Sequence, residues 1–216
     1  CTTLFDSTAP TGGSVSAKYY NKTSPVSITY SGVSDTGSGL KSVSLWVRKY
    51  PASWVDTGLA LPDGAGTFSH NITSGSGTYC IGLVAEDNAG NKSAVPTGWG
   101  LTNVIYDVTL PAAGTLTAPA TAGAAPIAVS YSGSSDSHSG LKQVHLWSKK
   151  GSAGAWVDTG LVATAASGSF EFSGVSGSDT YYFGVQAEDK AGNFSAVPSG
   201  SGGGSTVYSS ELSAGV

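Results

Sequence analysis

The chain has 216 residues, a formal net charge of −4 and only 11% charged residues. Ten Lys and Arg provide no basic stripe to neutralise phosphates, which argues against a nucleic-acid partner. No apolar run approaches the roughly 18 residues that span a bilayer, yet a 39% apolar share with five Trp and ten Tyr can fill a core.

In chain order, Phe5-Asp6 and Pro10 lead into "VSITYSG", where Val26, Ile28 and Tyr30 alternate with polar residues. A period of two predicts a half-buried strand. Asp35 and Ser38-Gly39-Leu40-Lys41 read as a turn. "SVSLWVRK" then places Val43, Leu45 and Val47 on one face and Trp46 and Arg48 on the other. Trp54-Val55-Asp56-Thr57-Gly58-Leu59 reads as a strand and its end, and "YCIGLVAED" as a strand with Tyr79, Ile81, Leu83 and Ala85 on one face. Asp87-Asn88-Ala89-Gly90-Asn91 is predicted to turn, with Gly90 supplying positive φ.

From Tyr106-Asp107 the pattern restarts. Tyr131-Ser132-Gly133, Asp136, Ser139-Gly140-Leu141-Lys142 and Leu146-Trp147 repeat the first half at an offset of 101. Beyond the loops at 50–53 and 151–155 the offset becomes 102, through Trp156–Leu161, Tyr181 and a second Ala-Glu-Asp phrase at 187–189. This divides the chain into repeats at residues 1–105 and 106–208 and a tail at 209–216. No segment carries a helical period. About seven short strands per repeat predict an all-β fold of two tandem antiparallel β-sandwiches.

An alternating strand that opens with Tyr and ends Ala-Glu-Asp, followed by Ala-Gly-Asn, resembles the F strand and F–G turn of fibronectin type III and bacterial immunoglobulin-like repeats. The resemblance covers residues 5–208. It implies that Tyr79 and Tyr181 are buried tyrosine-corner residues with hydroxyls bonded to nearby backbone. It also implies an extracellular or cell-surface setting and a non-enzymatic role as stalk, spacer, filament subunit or adhesin segment. The partners it suggests are neighbouring domains of a longer surface protein or further copies of the chain. The alternative is a carbohydrate-binding accessory module beside a secreted enzyme.

On such a sandwich the chain entry, the B–C loop and the F–G turn share one pole. That gathers Asp6, Asp35, Glu86 and Asp87 in the first repeat, and Asp107, Asp136, Glu188 and Asp189 in the second. Oxygen ligands from three loops suit Ca²⁺, which would stiffen the joint between repeats. The competing reading is that each carboxylate serves only its own turn. Asn91 and Asn193 lie in glycosylation sequons but are expected to serve the repeated turn. His70, His138 and His145 do not recur between repeats, and no zinc spacing, phosphate loop or nucleophile elbow is present.

Two further features are singled out. Trp46, Trp147 and Tyr182 face away from the apolar side of their strands, which offers an outer aromatic surface for a glycan or a second subunit. Cys80 also points outward by alternation. With Cys1 it would form a disulfide within or between chains, unless Cys1 is lipidated. "SSELSAGV" is expected to be a linker or a strand that pairs with another subunit.

Overall fold

The computed structural model describes residues 5–213, and its contacts divide the chain into two units, Cys1–Val108 and Thr109–Val216. Each unit is a sandwich of a three-stranded and a five-stranded sheet.

In the first unit β1 (Thr11–Ala17), β3 (Val26–Ser34) and β6 (Gly66–His70) form the small sheet, in the order β1-β3-β6. The large sheet has the order β2-β8-β7-β4-β5, with β2 (Tyr20–Asn21), β4 (Leu40–Lys49), β5 (Val55–Leu61), β7 (Gly77–Asp87) and β8 (Thr102–Tyr106). The alternating residues face inward as their spacing requires. Val26, Ile28 and Tyr30 from β3 meet Val43, Leu45 and Val47 from β4 and Tyr79, Ile81 and Ala85 from β7 in one buried cluster.

The second unit repeats the order. The small sheet is β14-β11-β9, from β9 (Thr115–Thr117), β11 (Ile127–Ser132) and β14 (Gly168–Phe172). The large sheet is β10-β16-β15-β12-β13, from β10 (Thr121–Ala122), β12 (Leu141–Lys150), β13 (Val157–Ala163), β15 (Asp179–Asp189) and β16 (Gly204–Tyr208). Its core gathers Val129, Tyr131, Val144, Leu146, Tyr181 and Phe183.

One departure from a purely antiparallel sandwich recurs. β2 pairs with β8, and β10 with β16, in parallel. The first strand of each unit crosses to the opposite sheet without reversing, so its continuation runs alongside the last strand. The described part of the tail forms a 3-10 turn at Ser210–Ser213 rather than the strand considered for it.

The tyrosine corners form as expected. The Tyr79 hydroxyl donates to the Gly75 carbonyl at 2.7 Å, and Tyr181 to Gly177 at 3.0 Å. Burial pushes the Tyr79 phenol above its ordinary value, with Tyr106 adding to the effect.

A feature outside the alternation rule shapes the outer face of each large sheet. After the F–G turn, Ser93 donates its N–H to Ala85 at 2.9 Å, and Leu101 donates to Ile81 at 2.9 Å. Between these bonds residues 94–100 leave the sheet edge and fold across its outer face. Pro96 and Trp54 lie over Gly82, where an added Cβ would meet Pro96 Cγ at 2.5 Å and Trp54 Cη2 at 3.5 Å. Pro198 and Trp156 cover Gly184 in the same way, at 2.5 Å (Cβ) and 3.6 Å. This cover corrects two expectations. Cys80 is on the outer face of β7 but fully buried, so its thiol is not displayed; Cys1, its suggested partner, lies outside the described residues. Trp46, Trp147 and Tyr182 are half-buried rather than an open strip. The Trp147 Nε1 is buried without a hydrogen-bond partner, and Lys149 Nζ sits 4.9 Å from the centre of the Tyr182 ring.

Candidate functional site

The acidic pole of the first unit is built from three chain segments. Asp6 lies in the entry segment, Asp35 follows β3, and Asp87 ends β7. One carboxylate oxygen from each lies within 4.8 Å of the others. In the second repeat Asp107, Asp136 and Asp189 stand at the equivalent sequence positions.

Glu86 and Glu188, expected beside these aspartates, do not join them. Successive strand residues point to opposite faces, so an acid next to Asp87 in sequence must turn away from it. Glu86 accepts instead from Lys41 at 2.6 Å, with Lys92 Nζ at 3.3 Å. Those two lysines, Lys41 first, hold its carboxyl below the usual range. Glu188 pairs with Lys142 at 2.8 Å and accepts from Gln143 at 2.8 Å.

Local hydrogen bonds position each aspartate. Asp6 accepts from the Thr8 N–H at 2.9 Å and from the Ser38 N–H at 2.6 Å. These bonds, Thr8 first, hold its carboxyl below the ordinary 3.8. Gly37 passes so close to Asp6 that a side chain there would overlap the carboxylate. One Asp35 oxygen accepts from both Gly37 and Gly39, at 3.0 and 2.8 Å. Asp87 has no exposed surface. Burial works to raise its carboxyl, but bonds from the Asn91 side chain at 2.7 Å and the Asn91 N–H at 2.8 Å outweigh this, and the net shift is downward. Asn91 also donates to the Asp6 carbonyl at 3.1 Å, tying the entry segment to the F–G turn. Gly90 and Gly192 adopt φ of 94° and 92°, the left-handed geometry read from the sequence.

The donor set fits a hard cation. It consists of carboxylate oxygens with no Cys or His, which favours Ca²⁺ over zinc. In the second repeat all three bonds to Asp136, from His138, Ser139 and Gly140, fall on Oδ1. Oδ2 is buried and accepts none. The turn reading alone accounts for one oxygen of this residue, not both.

These shifts carry a pH prediction. A carboxyl whose folded value is lowered adds stability above its unfolded value and loses it as pH falls through the folded value. The contributions of Asp6 and Asp87 are therefore complete above about pH 5 and decline below 3.8. Melting temperatures measured from pH 6 down to pH 2 should fall less steeply below 3.8 in Asp6→Asn than in the parent chain. Equal slopes would remove Asp6 from this account.

The family model that matches is that of the bacterial Ig-like domain, over residues 7–99. That match makes the first unit similar to a bacterial Ig-like domain. The second unit reproduces the strand order of the first element for element. No curated protein matches the chain. Among solved structures, titin domains A168–A170 share 15% identity and a TM-score of 0.51, covering 91% of this chain and 64% of theirs. That likeness shows the fold. A tetra-tandem repeat from the extending region of a large adhesion protein shares 19% identity over 93% of this chain and 50% of its own, at a TM-score of 0.32. The FN1–FN3 domains of chicken CNTN1 share 13% identity over 87% and 64%, at 0.44. The chain thus spans between half and about two-thirds of the length of these neighbours.

Proposed function

We propose that this chain is a tandem spacer segment of a bacterial surface protein of adhesin type, carrying one weak Ca²⁺ site per repeat. The observation that carries the reading is duplication. Both repeats, of one topology, carry aspartates at the entry segment, the B–C loop and the F–G turn, and in the first unit the three lie together. Ig-like and fibronectin-like domains typically serve as non-catalytic modules, and the duplicated feature here is structural rather than a nucleophile–base pair. Three carboxylates this close repel one another, and two of them are held in the ionised form by hydrogen bonds. A divalent cation relieves that repulsion and links the three segments.

The setting is tested on intact cells of the source organism with antibodies raised against the two repeats. Surface labelling before lysis, removed by brief external proteolysis, is expected. Labelling that appears only after lysis would overturn the surface role.

A further inference from the structure

A cation and three aromatic rings line up at the edge of the first unit. Arg48, from the outer face of β4, places its guanidinium carbon 5.5 Å from the centre of the Trp54 ring and 5.6 Å from that of Tyr50. Tyr50 stacks on Trp99 with centroids 4.8 Å apart and planes 17° from parallel. Trp54 is half-buried beneath the cover segment, but Tyr50 is 50% and Trp99 54% exposed. The Arg48 Nε is buried and makes no hydrogen bond.

The backbone holds both exposed rings in place. Tyr50 donates its N–H to Thr78 at 2.9 Å and begins a turn closed by Ala52 to Lys49 at 2.8 Å. Trp99 sits in a turn closed by Gly100 to Thr97 at 3.0 Å, anchored one residue later by Leu101 to Ile81.

The second unit serves as an internal control. Gly151 occupies the Tyr50 position and donates to Thr180 at 2.8 Å; Ser201 occupies the Trp99 position in a turn closed by Gly202 to Ser199 at 2.9 Å. There the cation is Lys149, buried between Trp156 and Tyr182, the latter at the position of Cys80. Both turns therefore form without Tyr or Trp. The fold does not need the two exposed rings, which cost it solvated apolar surface.

We infer that the Tyr50–Trp99 pair is a binding platform for a neutral glycan, with a pyranose ring laid on the exposed aromatic surface. The argument runs through size and charge. Two rings that bury about 150–250 Å² each when enclosed, and here are half exposed, offer roughly 200 Å² in all, far below the ~800 Å² per partner of a stable protein interface. That area suits a unit the size of one or two sugar rings. The guanidinium already against Tyr50 disfavours a cationic ligand such as a quaternary ammonium. The flanking exposed residues Ser53, Thr97, Gly98 and Gly100 carry no charge and present hydroxyl and main-chain groups. A pyranose matches that environment, with C–H groups on its face and hydroxyls at its rim. One ring-sized contact is weak, and a surface polymer compensates through repetition.

The test uses the intact chain, the Trp99→Ser variant and a double variant, Tyr50→Gly with Trp99→Ser, which installs the residues of the second unit. Each is titrated with cellohexaose and chitohexaose to about 10 mM while the indole N–H signals are followed by NMR, a range that covers millimolar binding. Saturable movement of the Trp99 signal is expected in the parent chain. In both variants the Trp54 signal, beside the platform, reads residual binding, and the Trp147 and Trp156 signals should stay still. Affinity should fall at least tenfold in both variants with the melting temperature unchanged. No saturable response to either glycan would overturn the proposal, as would equal binding by the double variant. Concentration-dependent dimerisation lost in the double variant would also overturn it, by assigning the face to a second copy of the chain.

Discussion

Calcium at about 10 mM is expected to raise the melting temperature of the intact chain by roughly 5–20 °C. Extracellular modules bind Ca²⁺ with dissociation constants of roughly 0.1–1 mM, so this excess contributes about 1.4–2.7 kcal/mol per occupied repeat. In a domain of this size each kcal/mol moves the midpoint by roughly 4–8 °C. The informative variant replaces Asp35 and Asp136 by Asn. An Asn oxygen still accepts the loop N–H bonds now made to Asp35 by Gly37 and Gly39, and to Asp136 by Gly140. The loops survive while the charge is lost. The parent should melt higher with calcium and the variant should not respond. A calcium shift of equal size in both would show that the ion binds elsewhere. No shift in the parent would return the aspartates to turn duty alone.

Gly82→Ala and Gly184→Ala should each destabilise their unit by about 1–3 kcal/mol, read from chemical denaturation. Neither position is a turn. Each lies within a long central strand, where alanine is ordinarily tolerated, and the difficulty is space alone. The new methyl would sit 2.5 Å from the nearest ring carbon of Pro96 or Pro198. Contact at that range forces the cover segment off the sheet and opens the outer face above Gly82 or Gly184. Adding Pro96→Ala to Gly82→Ala should recover part of the loss, a coupling that a double-mutant cycle measures. A neutral Gly82→Ala would mean that the cover is not packed as described.

The core was legible because it obeys a short period. Val43, Leu45 and Val47, and their counterparts on β7, face inward as alternation requires. The aspartate groups were legible because the repeat marks them twice and the sandwich brings its loops to one pole. Glu86 and Glu188 were misplaced by reading the acidic phrase as a unit; the same alternation, applied to two adjacent residues, separates Glu86 from Asp87. Cys80 was assigned the correct face and the wrong environment. What covers that face is a segment with no period of its own, so pattern reading does not detect it. Two signals pointed to it: Ala-Val-Pro recurs at 94–96 and 196–198, and Gly82 and Gly184 interrupt otherwise apolar strands. β2 and β10 span two residues each, too short for any period to show. Tyr50 and Trp99 carry no repeat signal, because they stand where the two repeats differ.

Asp6 also has a mechanical consequence. Ladder pairing in the first unit begins at Thr11, downstream of it. Traction on the start of the domain therefore reaches the bonds to Ser38 and Asn91 before it loads any strand. Peeling back the lead-in removes one arm of the carboxylate tripod and leaves the sandwich whole. The entry is thus placed to act as a sacrificial link: it yields first under tension and re-forms once the pull relaxes, and the proposed Ca²⁺ would leave and return with it.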